Sequence, residues 1–199
     1  TLLLVQFVSL WRGGEMVQMS SRSGQFVTLR DLRKEVGNDA ARFYYVMRKS
    51  EQHIDFDLDL AVSQSKDNAV YYIQYAHARV NRMVDIRAPE KNIPFDRSQL
   101  QNYDASLLSA DTETEILAKL AAYPEIVTRA ANSYEPHQIG NYLKELAALF
   151  HGWYAQEDVK ILDEQNVALS QARLLLSLNV QQVIRNGLEL LGVSAPESM

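Results

Sequence analysis

The sequence predicts a mostly α protein: a helix bundle from residue 57 onward, preceded by a small unit with a β-hairpin and short helices. Three stretches carry that prediction. Asp67 to Arg87 places Ile73, Ala76, Val80 and Val84 at the i, i+3, i+7, i+11 spacing of a buried helical stripe. His137 to Tyr154 spaces Ile139, Leu143, Leu146, Ala147, Phe150 and Tyr154 as a broad apolar face. Val167 to Leu191 is apolar almost all round in its early part, as expected of a helix enclosed by others.

Composition supports a packed core. Hydrophobic residues make up 47% of the 199, too many for a disordered chain. The absence of cysteine excludes disulfides and thiolate metal sites and fits a reducing compartment. No apolar run is long enough to span a bilayer, and no secretory signal is present. The net charge of −5 argues against nucleic-acid binding through bulk charge. The distribution is uneven, however. Ser20 to Ser50 carries seven basic residues against three acids, a surplus of four, and Glu51 to Leu60 then carries four acids with no Lys or Arg. A basic block followed by an acidic connector marks two units. Thr1 opens inside an apolar run, TLLLVQFVSLW, so the chain is expected to be the C-terminal part of a longer one.

In order, residues 3–19 read as a hairpin: alternating apolar positions lead to a turn at Arg12-Gly13-Gly14-Glu15 and a returning strand at Met16 to Met19. So small a ribbon is marginal alone and is expected to need further packing. Thr28 caps a helix from Leu29 to Val36, with Asp31 as the acid three residues on. Gly37 ends it, and Asn38 is expected to cap a second helix from Asp39 to Lys49. His53 to Leu60 alternates polar and apolar, as a short strand or an extended connector leading into a helix over Leu58 to Gln64. Ala88 to Tyr103, with Pro89 and Pro94, reads as a loop. Further helices are expected at Ala110 to Ala122 with an acidic start, at Glu125 to Ser133 behind Pro124, at His137 to Tyr154 behind Pro136, and at Val167 to Leu191 between Asn166 and Gly192.

Two sets of residues stand out chemically. Tyr71, Tyr72 and Tyr75 lie on or beside the stripe of the first long helix, with Arg79 and Arg82; Tyr72, Ala76, Arg79 and Met83 align at helical spacing. Aromatic faces interleaved with guanidinium groups suit unpaired bases and phosphates, but periodicity alone favours the same tyrosines as core residues with hydroxyls reaching the surface. The loop Met19-Ser20-Ser21-Arg22-Ser23-Gly24 has the small hydroxyls, glycine and Arg that wrap a phosphate, a composition also common in ordinary loops. His53, His77, His137 and His151 lack paired metal spacing and read as surface or partly buried residues. Asp55, Asp57 and Asp59 read as a solvated connector, because a calcium loop would need a glycine and a later glutamate. There is no G-x-S-x-G, no cysteine nucleophile and no P-loop.

The string Gln18-Met19-Ser20-Ser21-Arg22-Ser23-Gly24 resembles the KMSKS-type signature loop of class I aminoacyl-tRNA synthetases. Its continuation Phe26 to Leu32 and Val36 to Phe43, then HIDFDLDLA (His53 to Ala61), VYYIQYAHAR (Val70 to Arg79) and the ending LGVSAPESM are similar to arginyl-tRNA synthetases across essentially the whole chain. The resemblance implies a small α/β remnant of a Rossmann-type catalytic domain over residues 1–55, then an all-helical, DALR-type anticodon-binding domain over 56–199. The implied reaction is ATP-dependent activation of arginine and its transfer to tRNA(Arg), with ATP and Mg2+ used by the full-length enzyme and none bound to this chain alone. The implied setting is the cytoplasm, away from membranes, as a monomer. The HIGH-type loop and the arginine pocket are expected upstream, so this chain alone is expected to bind tRNA weakly and to catalyse nothing.

Within the resemblance, Ser20, Ser21 and Arg22 correspond to the loop on the ATP phosphates, with Gln18 and Met19 beside them. Gln18 and Ser21 replace the two lysines of the motif, which leaves Arg22 as the loop's full charge. Tyr72, Tyr75, Ala76, Arg79, Tyr154 and Met199 correspond to the anticodon-contacting positions, while Trp153 is assigned to the core. Two other functions fit the residues alone: a free-standing helical adaptor with exposed tyrosines for a protein partner, and a bare helical scaffold without a ligand.

Overall fold

The computed structural model of the chain describes residues 2–18 and 27–199. Strand β1 (Val8–Arg12) is the centre of a three-stranded sheet ordered β2-β1-β3, with β2 at Glu15–Met16 and β3 at Ile54–Asp57. The Gly13-Gly14 turn forms as expected, both glycines at positive φ (60° and 78°). The hairpin is nevertheless shorter than the alternation predicted, its returning strand stopping at Met16. The longer partner of β1 is β3, which runs parallel to it from Val8↔Ile54 to Trp11↔Asp57. Three carboxylates that punctuate His53 to Leu60 have separate local tasks: Asp55 accepts from Trp11 Nε1 (3.0 Å), Asp57 caps the next helix at Leu60 N (3.0 Å), and Asp59 accepts from Gly13 N (2.6 Å). They do not converge, in keeping with a connector.

The parallel pair is joined by helices α1 (Leu29–Val36) and α2 (Asn38–Val46), which makes the segment a β-α-α-β crossover. Thr28 and Asp31 form the expected reciprocal cap of α1. Asn38 is not the cap of α2. Gly37 ends α1 and opens α2 at once, at φ 83° and ψ 161°, so Asn38 is already the first helical residue. Phe43 of α2, together with Leu10, Leu32 and Phe56, is fully or almost fully buried, which joins sheet and helices to the common core.

After α3 (Leu58–Val62), Asn68 caps α4 (Ala69–Arg82), and Ile73, Ala76, Val80 and Val84 are all buried as the spacing predicted. α4 runs into a π-helical turn, Met83–Arg87, whose closing bond goes from Ala88 N to Met83 O. The loop expected from Ala88 begins instead with a further helical turn, α5 (Ala88–Glu90), because Pro89 occupies its first positions, where no N–H is required. Two 3-10 turns, Leu100–Asn102 and Ala105–Leu107, lead to α6 (Asp111–Ala121), α7 (Tyr123–Ser133), α8 (His137–Tyr154) and α9 (Val167–Leu190). α9 packs on α4, α6 and α8 together, which explains its apolar girth. At the α8–α9 crossing a Cβ on Gly187 would lie 2.7 Å from Leu143 Cδ2, so glycine sets how closely the helices approach. Buried Glu113 of α6 accepts from Ser109 N and Ala110 N (2.9 Å each) and from Arg173 Nε of α9 (2.6 Å), which satisfies both of its oxygens.

Candidate nucleic-acid interface

α4 has polar residues on two sides of its buried stripe. On one side Gln74, His77 and Asn81, at i, i+3 and i+7, are buried and face the C-terminal tail. Gln74 Nε2 donates to Ser194 O (2.9 Å) and to Asp39 Oδ2 (2.9 Å). His77 Nδ1 meets Pro196 O at 2.8 Å, and Asn81 Nδ2 donates to Glu197 O at 3.4 Å. Gly192, at φ 67°, turns the chain out of α9 toward these partners, and Arg42 Nε of α2 donates to Leu191 O (2.5 Å). A Cβ on Gly192 would collide with that arginine. His77 was expected at or near the surface; it is fully buried, because the tail covers it.

The tail delivers Met199 to a groove of about 550 Å³, lined among others by Tyr75, Arg79, Arg82, Ile86, Tyr154 and Met199. At its centre the guanidinium carbon of Arg79 lies 4.5 Å from the ring centroid of Tyr75 and 4.5 Å from that of Tyr154. The cation thus packs over one ring from α4 and one from α8. Arg79 Nη2 donates to Tyr75 Oη (3.0 Å), and Nη1 meets His151 Nδ1 (3.0 Å). Its other N–H donors have no acceptor among the described residues. Tyr71 extends the aromatic row, parallel to Tyr75 within 9° at 6.0 Å.

Tyr72, Tyr75, Arg79, Tyr154 and Met199 therefore come together from three parts of the chain. Tyr72 is half-buried, with its ring 4.4 Å from that of His151, and burial pushes its hydroxyl above its usual pKa. Ala76 is fully buried and shapes the floor behind the tyrosines. Trp153 is in the core, as assigned. Gln18 is exposed at the end of a described segment, and Met19, Ser20, Ser21 and Arg22 lie outside the described residues. Local sequence gave no hint of His151, three residues before Tyr154. Its position follows from the packing of α8 on α4.

The groove lining carries both signs of charge, three arginines (Arg79, Arg82, Arg87) against Asp85 and Glu197. Asp85 is engaged by Arg97 (3.1 Å), and Arg87 by Glu90 (3.2 Å), whereas Arg82 has no acidic partner among the described residues. Arg79 and Arg82 thus stand beside stacked rings in a chain that is acidic overall, an arrangement suited to unpaired nucleotides. Among the described residues there is no metal-ligating cluster and no helix long and apolar enough to cross a membrane.

Residues 73–199 match the family model described as the DALR anticodon binding domain. Over its whole length the chain is 77% identical to an arginine–tRNA ligase of Acinetobacter baumannii (strain AYE), and over 99% of its length 58% identical to one of Psychrobacter sp. (strain PRwf-1). It spans 33% of each of these curated relatives. Among solved structures it resembles a Campylobacter jejuni protein assigned as an arginyl-tRNA synthetase (TM-score 0.83, 28% identity, 98% of this chain and 40% of the other). It also resembles Thermus thermophilus arginyl-tRNA synthetase (TM-score 0.64, 27% identity, 90% and 29%).

Proposed function

We propose, on the premise that the chain belongs to the DALR anticodon binding domain family, that it recognises the anticodon region of tRNA(Arg) as the C-terminal part of an arginine–tRNA ligase. The observation that carries this reading is the Arg79 guanidinium packed 4.5 Å from both Tyr75 and Tyr154 in a groove that ends at Met199. Rings of this kind contribute about 1–3 kcal/mol per stacked base, enough for a few residues to dominate binding despite a net charge of −5. Tyr72 backs the row, and Arg82 supplies a phosphate contact.

In the full-length enzyme, arginine, ATP and Mg2+ serve the catalytic part, to which residues 1–55 belong, with residues 56–199 as the helical RNA-binding part. Gln18, Met19, Ser20, Ser21 and Arg22 border the ATP phosphates there, and the enzyme works in the cytoplasm as a monomer. The names of the relatives and the succession of a β-α-α-β crossover and a helix bundle support this assignment.

The test is binding of labelled tRNA(Arg) and of an anticodon-loop mutant at two salt concentrations. A preference for the native anticodon is expected, with affinity falling as salt rises through release of counterions. Tyr75→Ala and Tyr154→Ala chains that remain folded should lose the preference. Equal, weak binding of both RNAs by the parent would remove the reading.

A further inference from the structure

His151 of α8 is 9% exposed, and both of its ring nitrogens are engaged. Nε2 lies 3.2 Å from the Tyr72 carbonyl oxygen, which can only accept, so Nε2 carries the proton. Nδ1 lies 3.0 Å from Arg79 Nη1, which can only donate, so Nδ1 presents a lone pair. Only the neutral Nε2–H tautomer satisfies both contacts. The same ring packs 4.4 Å from Tyr72 and 5.7 Å from Tyr75, nearly parallel to the latter.

We propose that His151 is a positioning residue of the RNA site, its Nδ1 lone pair holding the Arg79 guanidinium in place against Tyr75 and Tyr154. The proposal rests on the anticodon reading. An arginine has four rotatable side-chain bonds, and packing over two rings does not by itself fix where its N–H groups point. The bonds to Tyr75 Oη and His151 Nδ1 supply that restraint, and the remaining N–H donors are left for a base edge or a phosphate.

A protonated His151 could not make this contact, because Nδ1 would then carry a hydrogen and a positive charge toward a guanidinium. Burial holds the imidazole below its usual pKa, and the Arg79 charge acts in the same direction, against the Tyr72 carbonyl. The titratable and charged groups facing it are Tyr72, Tyr75 and Arg79, all from α4; no carboxylate pairs with it among the described residues.

The test is affinity for a labelled tRNA(Arg) anticodon stem-loop as pH falls from 7.5, over the range in which circular dichroism shows each chain folded. Added positive charge alone would tighten RNA binding on acidification. The positioning role predicts the opposite: the parent weakens about fivefold or more. His151→Gln, whose amide offers one donor and one acceptor, should bind within about threefold of the parent at pH 7.5 and lose the pH dependence. His151→Phe, which keeps the ring and removes both contacts, should bind about tenfold more weakly. A parent affinity that stays level or rises on acidification, or a folded His151→Phe chain that binds like the parent, overturns the proposal. If the parent still prefers the native anticodon, the anticodon reading survives that result. If the parent shows no such preference, both fall.

Discussion

The two polar sides of α4 use similar residues to opposite ends. On the tail side, Gln74, His77 and Asn81 are buried and spend their hydrogen bonds on the backbone of residues 194–197. On the groove side, Tyr75 and Arg79 are only partly covered, and Arg79 retains N–H donors without acceptors among the described residues. Each side has a neutral histidine meeting an arginine, with the tautomers reversed. His77 carries its proton on Nδ1 toward Pro196 O and offers Nε2 to Arg185 Nε at 3.3 Å, whereas His151 carries its proton on Nε2. A closed hydrogen-bond inventory marks a structural surface and an open one a binding surface. Polarity by itself distinguishes neither.

That contrast breaks most visibly under substitution. His77→Phe removes the bond to Pro196 and leaves buried polar groups unpaired, so stability should fall by about 2–4 kcal/mol. Arg79→Ala should lower stability by under about 1 kcal/mol while weakening RNA binding by roughly tenfold or more. Paired urea melts and RNA titrations of the two variants check this, and equal stability losses would dissolve the distinction.

Acid sharpens the comparison further. The native pKa values of His77 and His151 both lie below the usual value of 6.5, burial being the main cause for each. At His77, Arg185 and Arg97 act with burial, and the Pro196 carbonyl and Glu197 act against it. The unfolded chain therefore binds protons that the native chain refuses. Stability is full above about pH 6.5 and declines as pH falls toward the native pKa values, by at most about 1.4 kcal/mol per pH unit for each histidine. Thermal melts between pH 7.5 and 5.5 should show that decline in the parent and roughly half of it in His77→Phe. The smallest effect belongs to Asn81→Ala. Its bond to Glu197 O is long, at 3.4 Å, although its side-chain oxygen also accepts from Arg97 at 3.1 Å, so about 0.5–1.5 kcal/mol is expected in the same melts.

The helical part was legible because periodicity is a local signal: Ile73, Val80 and Leu143 declare their burial by spacing alone, and Asn68 and Asn166 cap helices that were expected. The sheet was legible only in half. The Gly13-Gly14 turn announced β2, but β3 lies more than forty residues from β1, and nothing in either strand names the other. Gly37 was read as an end and proved also to be a beginning. Of the site, the tyrosines and Arg79 could be read from one helix, and the resemblance added Tyr154 and Met199. Ala76 matched both the stripe and the aromatic row by spacing, and only the structure shows that it is fully buried. His151 and the tail-facing trio could not be read, since their partners are distant backbone groups.

The π turn at Met83–Arg87 fits one more residue into a turn than an α-helix would, and five residues from Met83 to Arg87 bracket the groove wall and the return to the core. Winding the same residues as ordinary α-helix would swing everything after them by about 100° about the helix axis. Ala88, now fully buried, would be carried off its packing partners, and Ile86 would leave the groove it lines beside Arg82. A single residue of slack in the backbone thus keeps wall and core in register.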